Sequence, residues 1–207
     1  MGRCSDARDR LLATAGKLLH ERGYTAVSVS DICTAAGLKK GSFYHFFESK
    51  QALALATIEG YAEQNRARMR TLMAGQGSVR DKLRVMFTAM HEAYRAHHRE
   101  GDGQLLGCPL GNLAGEMAGR DREITDKLAS IFGEWRDGLQ KLLEQGATNG
   151  EFVVSDVEDA AEALVAYVEG AALLARTMSD PEVVRRMGDR ALSLLGPPAA
   201  ADTAAAS

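Results

Sequence analysis

Cysteine is scarce in this sequence, and the three residues present, Cys4, Cys33 and Cys108, lie far apart along the chain. An odd number with no CxxC pair argues against a disulfide framework and against a zinc site of the usual ligand spacing. The cysteine content therefore favours a reducing, cytoplasmic setting. We expect no metal and no cofactor.

Long apolar segments are also missing. The first ten residues, MGRCSDARDR, have no apolar core of the kind found in a signal peptide. The longest apolar run, around 163–175, contains Glu169 and is too short to span a bilayer. With 45% hydrophobic and 26% charged residues, the composition is that of an ordinary globular protein. We therefore expect a soluble protein with no membrane partner.

Strand-like alternation is absent too, and apolar residues instead recur at helical spacing, as in Leu11, Ala15, Leu18 and Leu19. The sequence therefore predicts an all-α fold. Helix starts are predicted at Ser28-x-x-Asp31, at Ser49, at Ser78-x-x-Asp81, at Gly107-Cys108-Pro109, at Ser155-x-x-Glu158 and at Asp180-Pro181.

Residues 28–47, SVSDICTAAGLKKGSFYHFF, have the length and punctuation of a helix-turn-helix. One short helix is predicted to close at Ala36-Gly37, and the next to run from about Lys39 to Phe47. We expect an inward-facing set made of Ile32, Ala35, Leu38, Phe43 and Phe47. The residues then left projecting outward are Lys39, Lys40, Gly41, Ser42, Tyr44 and His45, where they can reach phosphates and base edges.

The charge distribution agrees with an N-terminal segment that binds phosphate groups. Residues 1–50 hold eight Lys/Arg against five Asp/Glu, a formal charge of +3; the whole chain carries −3, so the rest carries −6. A basic segment on an acidic body fits a nucleic-acid-binding module attached to another domain.

Residues 8–61 resemble the DNA-binding domain of the TetR family of bacterial transcriptional regulators. The resemblance rests on Gly23-Tyr24, Val27-Ser28-Val29, Ile32-Cys33, Ala36-Gly37, Lys40-Gly41-Ser42-Phe43-Tyr44-His45, Phe47 and Ser49-Lys50. It implies DNA contacts from Ser28, Lys40, Ser42, Tyr44, His45 and Lys50, and we add Lys39 from its outward position. Lys39 stands where the family often has a small hydroxyl residue, and Cys33 where it often has alanine. His45 is interpreted as a phosphate contact rather than a base reader.

The resemblance also implies a homodimer joined by its last two long helices, and a C-terminal ligand-binding domain whose occupancy releases DNA. We therefore predict three regions: a three-helix DNA-binding domain at 1–50, a helical ligand-binding and dimerisation domain at 51–195, and a disordered tail at 196–207. The DNA partner is expected to be a palindromic double-stranded operator, because a two-fold dimer reads two related half-sites.

The predicted ligand-binding residues are adaptable or aromatic side chains of the second half of the chain: Met86, Phe87, Met90, Cys108, Met117, Trp135 and Tyr167, with Tyr94 and Met178 as further candidates. Each of them serves equally as ordinary core. Cys108 lies in GCPLGNLAGEMA, which resembles a stretch of family members that respond to electrophiles through a cysteine. A helix N-cap position favours thiolate; the alternative is a small buried hydrophobe.

Three functions remain open at this point. The first is a repressor released by a small-molecule or thiol-reactive inducer. The second is a DNA-binding regulator without such a ligand, controlled by a protein partner or acting as an activator. The third is a thiol-dependent enzyme using Cys108 with His91 or His97, which the sequence disfavours because nothing predicts an orienting carboxylate beside the thiol. We expect no enzymatic activity.

Overall fold

The computed structural model describes residues 2–100, 103–193 and 195–196, with the backbone alone for residues 2–5 and 99–100. Within these ranges the chain forms nine helices and no strand, which confirms the all-α prediction. The helices are α1 (Gly2–Arg22), α2 (Val29–Ala35), α3 (Lys40–Phe46), α4 (Lys50–Ala74), α5 (Val79–Glu100), α6 (Pro109–Met117), α7 (Arg122–Thr148), α8 (Val157–Met178) and α9 (Glu182–Ser193).

The helices belong to two compact units. One is built from the chain up to Ala67 together with Leu106–Ile131, and the other from Arg68–Leu105 together with the chain from Phe132 onward. The division falls within α4 and within α7. The predicted boundary at residue 50 stays a prediction, and the predicted tail lies, beyond Gly196, outside the described residues. None of the described helices is long and apolar enough to cross a bilayer.

The first unit has an apolar interior. Its buried side chains include Leu11, Ala15, Leu19, Val27, Ile32, Phe43, Leu53, Ile58, Leu110, Leu113, Ile124 and Leu128. The α1 residues among them are those predicted from helical spacing. Gly23 follows the last residue of α1 with φ 85°, and its N–H donates to the carbonyl oxygen of Leu19 at 3.0 Å, which is a common way for a helix to end at glycine.

The predicted start and end of α2 are both present. Ser28 and Asp31 form a reciprocal capping box. At the other end Gly37 has φ 64°, its N–H donates to Thr34 O at 3.1 Å, and the Leu38 N–H donates to Cys33 O at 2.9 Å. These two bonds are those of a Schellman motif, and they produce the tight turn of the helix-turn-helix.

One inward-facing residue of α2 was predicted wrongly. Ala35 is exposed, whereas Ile32 and Cys33 are buried and Ala36 is half-buried. Successive residues of a helix are about 100° apart around its axis, so Ala36 shares the side of Ile32 and Cys33 while Ala35 lies beyond its edge. Leu38 is half-buried.

The second unit packs α5, α8 and α9 around an interior that includes Leu83, Phe87, Leu142, Phe152 and Leu164. Helix α9 comes close to α5 at Gly188, where a Cβ atom would lie 2.7 Å from Cβ of Phe87. Only glycine permits α9 to lie this close to α5 without displacement.

The capping box predicted at Ser155 and Glu158 is wrong. The N-cap of α8 is Asp156, whose carboxylate accepts the N–H groups of Glu158 and Asp159 at 2.9 and 3.1 Å. An ionised carboxylate is a stronger acceptor than a hydroxyl at the positive end of a helix, so the cap falls one residue later. The predicted caps at Ser49 and Ser78 are present.

Candidate nucleic-acid interface

Helix α3 separates an apolar side from a polar side. The Phe43 side chain is fully buried and Phe47, directly after the helix, is 6% exposed. On the opposite side Lys39, Lys40, Gly41 and His45 are exposed and Ser42 is half-buried. The two phenyl rings, 6.0 Å apart between centroids, fix the rotation of α3 and so determine which side chains face solvent.

Tyr44 is the most prominent side chain of this surface. It is 59% exposed, and its ring meets the buried Phe43 ring edge-on at 5.2 Å between centroids. Because the ring is held by this contact, the exposed tyrosine loses little side-chain conformational entropy when its hydroxyl binds a partner. Such a group suits hydrogen bonding to a phosphate or a base edge.

Ser28 has a structural task at the start of α2. Its backbone N–H donates to Asp31 Oδ2 at 2.8 Å, its hydroxyl donates to the same oxygen at 2.6 Å, and it accepts the Asp31 N–H at 3.2 Å. The hydrogen bonds from Ser28 lower the pKa of Asp31. The hydroxyl proton is therefore engaged, and a DNA contact from Ser28 stays a prediction.

Lys50 is also engaged within the protein. Its Nζ atom donates to the carbonyl oxygens of Tyr24 and Val27 at 3.0 and 2.9 Å and lies 4.0 Å from the centroid of the Tyr24 ring. Burial lowers the pKa of Lys50, and the nearby charge of Glu116 opposes that effect. The lysine ties the start of α4 to the turn before α2, and its predicted DNA contact also stays a prediction.

Arg10 of α1 supports the helix-turn-helix and was missed at the level of sequence. Its guanidinium donates to the carbonyl oxygens of Ala36 and Gly37 at 2.9 and 3.4 Å. A cation at the C-terminal end of a helix is favourable because unpaired carbonyls carry partial negative charge there. The only available signal was that the Ala36-Gly37 turn leaves carbonyl groups to be satisfied, and that signal does not indicate a residue 26 positions earlier.

The predicted ligand residues divide between the two units. Cys108 and Met117 lie in the first. Cys108 is the N-cap of α6, as predicted, and its Sγ atom accepts the Gly111 N–H at 3.4 Å. The Cys108 side chain is half-buried and Met117 is buried. Burial raises the pKa of the Tyr61 phenol, and the charge that Cys108 carries as a thiolate raises it further. The two side chains are therefore close enough to interact electrostatically.

The other five lie in the second unit. Phe87 is buried, whereas Met86, Met90, Trp135 and Tyr167 are half-buried. The indole of Trp135 packs edge-on against Phe132 at 5.1 Å, and its Nε1 atom is buried without a hydrogen-bond partner. A buried indole N–H without an acceptor is costly, which marks a place where an incoming acceptor would be favourable.

Met178 does not line an interior surface, contrary to the prediction. It is 61% exposed at the end of α8. Met178 lies in the last turn of α8, and the C-cap Ser179 has left-handed backbone. No further helical turn therefore follows to cover the methionine.

Comparison with known proteins gives a consistent result for both halves of the chain. Residues 11–57 match the family described as bacterial regulatory proteins, tetR family, and residues 81–190 match the tetracyclin repressor-like C-terminal domain. The chain is 30% identical to the HTH-type transcriptional repressor NemR of Escherichia coli (strain K12), over 70% of this chain and 69% of NemR. It is 33% identical to the transcriptional regulator AcuR of Cereibacter sphaeroides, over 85% of this chain and 79% of AcuR.

Solved structures agree with these relatives. The crystal structure of the reduced form of E. coli NemR superposes with a TM-score of 0.81 at 25% identity, covering 93% of this chain and 99% of that one. Regulatory protein TetR from Rhodobacter sphaeroides gives a TM-score of 0.82 at 27% identity, covering 90% and 97%.

Proposed function

The chain belongs to the TetR family and is a DNA-binding transcriptional regulator, and on that premise we propose that it is a repressor that reads a palindromic operator through α3 and releases it on taking up an inducer. The supporting observation is the two-sided α3. Buried phenyl rings lock one side, while Lys39, Lys40, Ser42, Tyr44 and His45 form the other, which we call the α3 outer face. Helices of this type enter the major groove with such a face toward the bases.

We propose that the protein works as a homodimer joined through α8, as regulators of this family typically do. Leu173 and Met178 on α8 are 59% and 61% exposed, and Leu174 is 38% exposed. Large apolar side chains grouped on one helix are costly to leave in water, and a second copy of the helix covers them in a symmetric interface.

The dimer proposal is tested by Leu173→Glu, with Val85→Glu as the matched control. Val85 is an equally exposed aliphatic residue on α5, at 62%. Light scattering is expected to report a monomer for Leu173→Glu and a dimer for the control, because the new carboxylate lies in the interface only in the first variant. Two dimeric variants would place the interface elsewhere.

Two classes of inducer are supported by different residues. Cys108, half-buried at the start of α6, supports a thiol-reactive electrophile, in keeping with a relative that has a reduced form. The unsatisfied indole N–H of Trp135 in the second unit supports a largely apolar molecule with one hydrogen-bond acceptor. A regulator without any small-molecule ligand is the remaining alternative.

The decisive experiment is an operator titration by gel shift, using a duplex selected from a random pool by the wild-type protein. Tyr44→Ala is expected to weaken binding, whereas tight binding by this variant would remove Tyr44 from the interface. Adding N-ethylmaleimide to wild type and to Cys108→Ser separates the inducer classes. Release of wild type alone supports the thiol route, and equal behaviour of both proteins leaves the apolar route.

A further inference from the structure

Glu116, in the last turn of α6, holds the turn that joins α1 to α2. Its carboxylate accepts the backbone N–H of Tyr24 through Oε2 and that of Thr25 through Oε1, both at 2.7 Å. The two donors are 92 and 91 positions away in sequence. Both carboxylate oxygens are therefore used to fix one short piece of backbone, and hydrogen bonds to a carboxylate are stronger than those between neutral groups.

The carboxylate is seated directly against the turn. A Cβ atom on Gly23 would lie 2.7 Å from Glu116 Oε2, closer than a carbon atom and a non-bonded oxygen normally approach. Gly23 also has φ 85°, a conformation that glycine adopts without strain. The turn is thus shaped to receive this side chain, and the contact is more specific than a salt bridge on an open surface.

The same turn is held from its carbonyl side by Lys50. Its ammonium group donates to the carbonyl oxygens of Tyr24 and Val27, while Glu116 accepts the N–H groups of Tyr24 and Thr25. Residues 24–27 are therefore clamped between an anion from α6 and a cation from α4. Ser28, which caps α2, follows immediately, so the geometry of this turn sets where α2 begins.

Glu116 is charged in this setting. Burial opposes ionisation, but the hydrogen bonds from Thr25 and Tyr24 and the nearby Arg120 outweigh it and lower the pKa of Glu116 below its usual value. The opposite end of α6 is anchored as well, because His20 Nε2 donates to Gly107 O at 3.0 Å. The chain just before α6 is therefore attached to the end of α1, and the last turn of α6 is attached to the turn that follows α1.

We propose that Glu116 is a positioning residue for DNA binding. By holding residues 24–27 it makes the orientation of α2 and α3 depend on the position of α6. Displacement of α6 breaks the paired hydrogen bonds and releases the turn from which α2 starts. The proposal deepens the DNA-binding role and rests on it. Operator binding by wild type, measured in the same titration, tests that role separately.

The test compares Glu116→Gln with Glu123→Gln. Glu123 is an exposed glutamate in the first turn of α7, within the same compact unit. Each substitution removes one negative charge, which on electrostatics alone leaves DNA affinity unchanged or raises it. In Glu116→Gln an amide NH₂ group faces one of the two N–H donors. We expect its operator affinity to fall at least about fivefold, the lower end of the range for coupling between sites, and Glu123→Gln to match wild type or exceed it.

Hydrogen exchange distinguishes positioning from loss of fold. In Glu116→Gln the Tyr24 and Thr25 amides are expected to exchange faster, while the Ala36 amide, bonded to Ile32 O within the α2 end, keeps wild-type protection. Wild-type operator affinity with those two amides exposed would overturn the proposal, and so would wild-type protection of both. If Glu116→Gln does not fold, Glu116→Asp takes its place. It keeps the charge with a shorter reach, and the same two readouts apply.

Discussion

At the residue scale, Gly23 carries the strictest requirement in the DNA-binding unit. Its backbone lies in the left-handed region at φ 85°, and the space where a side chain would begin is occupied by the Glu116 carboxylate. Backbone strain therefore applies to any substitution at this position, and an added Cβ atom would also displace the Glu116 carboxylate from its hydrogen bonds.

Gly23→Ala is expected to destabilise the protein by about 1–3 kcal/mol, the cost of a residue held in a sparsely populated backbone region. The matched control is Gly60→Ala, in the interior of α4, where an added Cβ atom meets nothing within 4 Å. The control should gain about 0.5–1 kcal/mol, because alanine loses less backbone entropy than glycine in a helix. Denaturant unfolding measures both changes. Equal effects of the two substitutions would show that position 23 has no special constraint.

The lowered pKa of Glu182 predicts that the stability of the protein depends on pH. Hydrogen bonds from Arg185 Nε at 2.8 Å and His91 Nε2 at 2.9 Å lower the pKa of Glu182 from 4.5 to about 2. Since the pKa in the folded state is depressed, the stabilisation is complete above about pH 4.5 and is lost as pH falls toward 2. Glu182→Gln should therefore melt below wild type at pH 7, and the difference should shrink on acidification below pH 4.5. A difference that stays constant down to pH 3 would contradict this account.

Residue roles divide into those that local pattern predicts and those that it does not. The outward position of Lys40 and Tyr44 was predictable, because the burial of Phe43 and Phe47 fixes the rotation of a short helix. The roles of Arg10, Lys50 and Glu116 were not, since each side chain bonds to backbone at least 23 positions away. Sequence spacing carries no information about such contacts.

At the scale of helices, the N-cap residues in the sequence predicted the helix starts most reliably. The caps at Ser28, Ser49, Ser78 and Cys108 were each predicted and are present. The failure at Ser155 has a local cause. Two adjacent residues, Ser155 and Asp156, are both good N-caps, and the capping-box pattern alone selected the wrong one.

Asp156→Ala is expected to cost about 1 kcal/mol, the usual loss when an N-cap acceptor is removed. Ser155→Ala, one residue earlier, should change stability by less than about 0.5 kcal/mol, as an exposed surface substitution does. Chemical denaturation of the two variants side by side makes the comparison. A larger loss for Ser155→Ala would reinstate the sequence-based cap and remove Asp156 from that role.

At the scale of the whole molecule, the sequence predicted the structure of the DNA-binding half in more detail than that of the C-terminal half. The helix-turn-helix has fixed lengths, turns and outward positions, so its motif predicts geometry directly. The ligand candidates do not share such a motif. Phe87 and Met86 pack in the core of the second unit, and Trp135 packs against Phe132. Whether they also contact a ligand depends on tertiary packing that periodicity does not describe. The segment 106–131 also joins the first compact unit, although it lies far along the chain from residues 1–50.

The same scale explains how an acidic protein binds DNA. The chain has a formal charge of −3, but residues 1–50 carry +3, and Lys39 and Lys40 are exposed at the start of α3. Binding therefore depends on where the positive charge lies and not on its total. A lysine on the α3 outer face should matter for DNA, and an exposed lysine elsewhere should not.

The most direct test of the central claim, that DNA is bound through the α3 outer face, is the salt dependence of operator affinity for wild type, Lys40→Ala and Lys141→Ala. Lys141 is exposed on α7 in the second unit and serves as the control. We expect Lys40→Ala to weaken binding and to reduce the slope of log affinity against log salt by about 1, as loss of one phosphate contact does. Lys141→Ala should retain the wild-type slope. Wild-type affinity and slope for Lys40→Ala would contradict the assignment of α3 as the DNA-binding element.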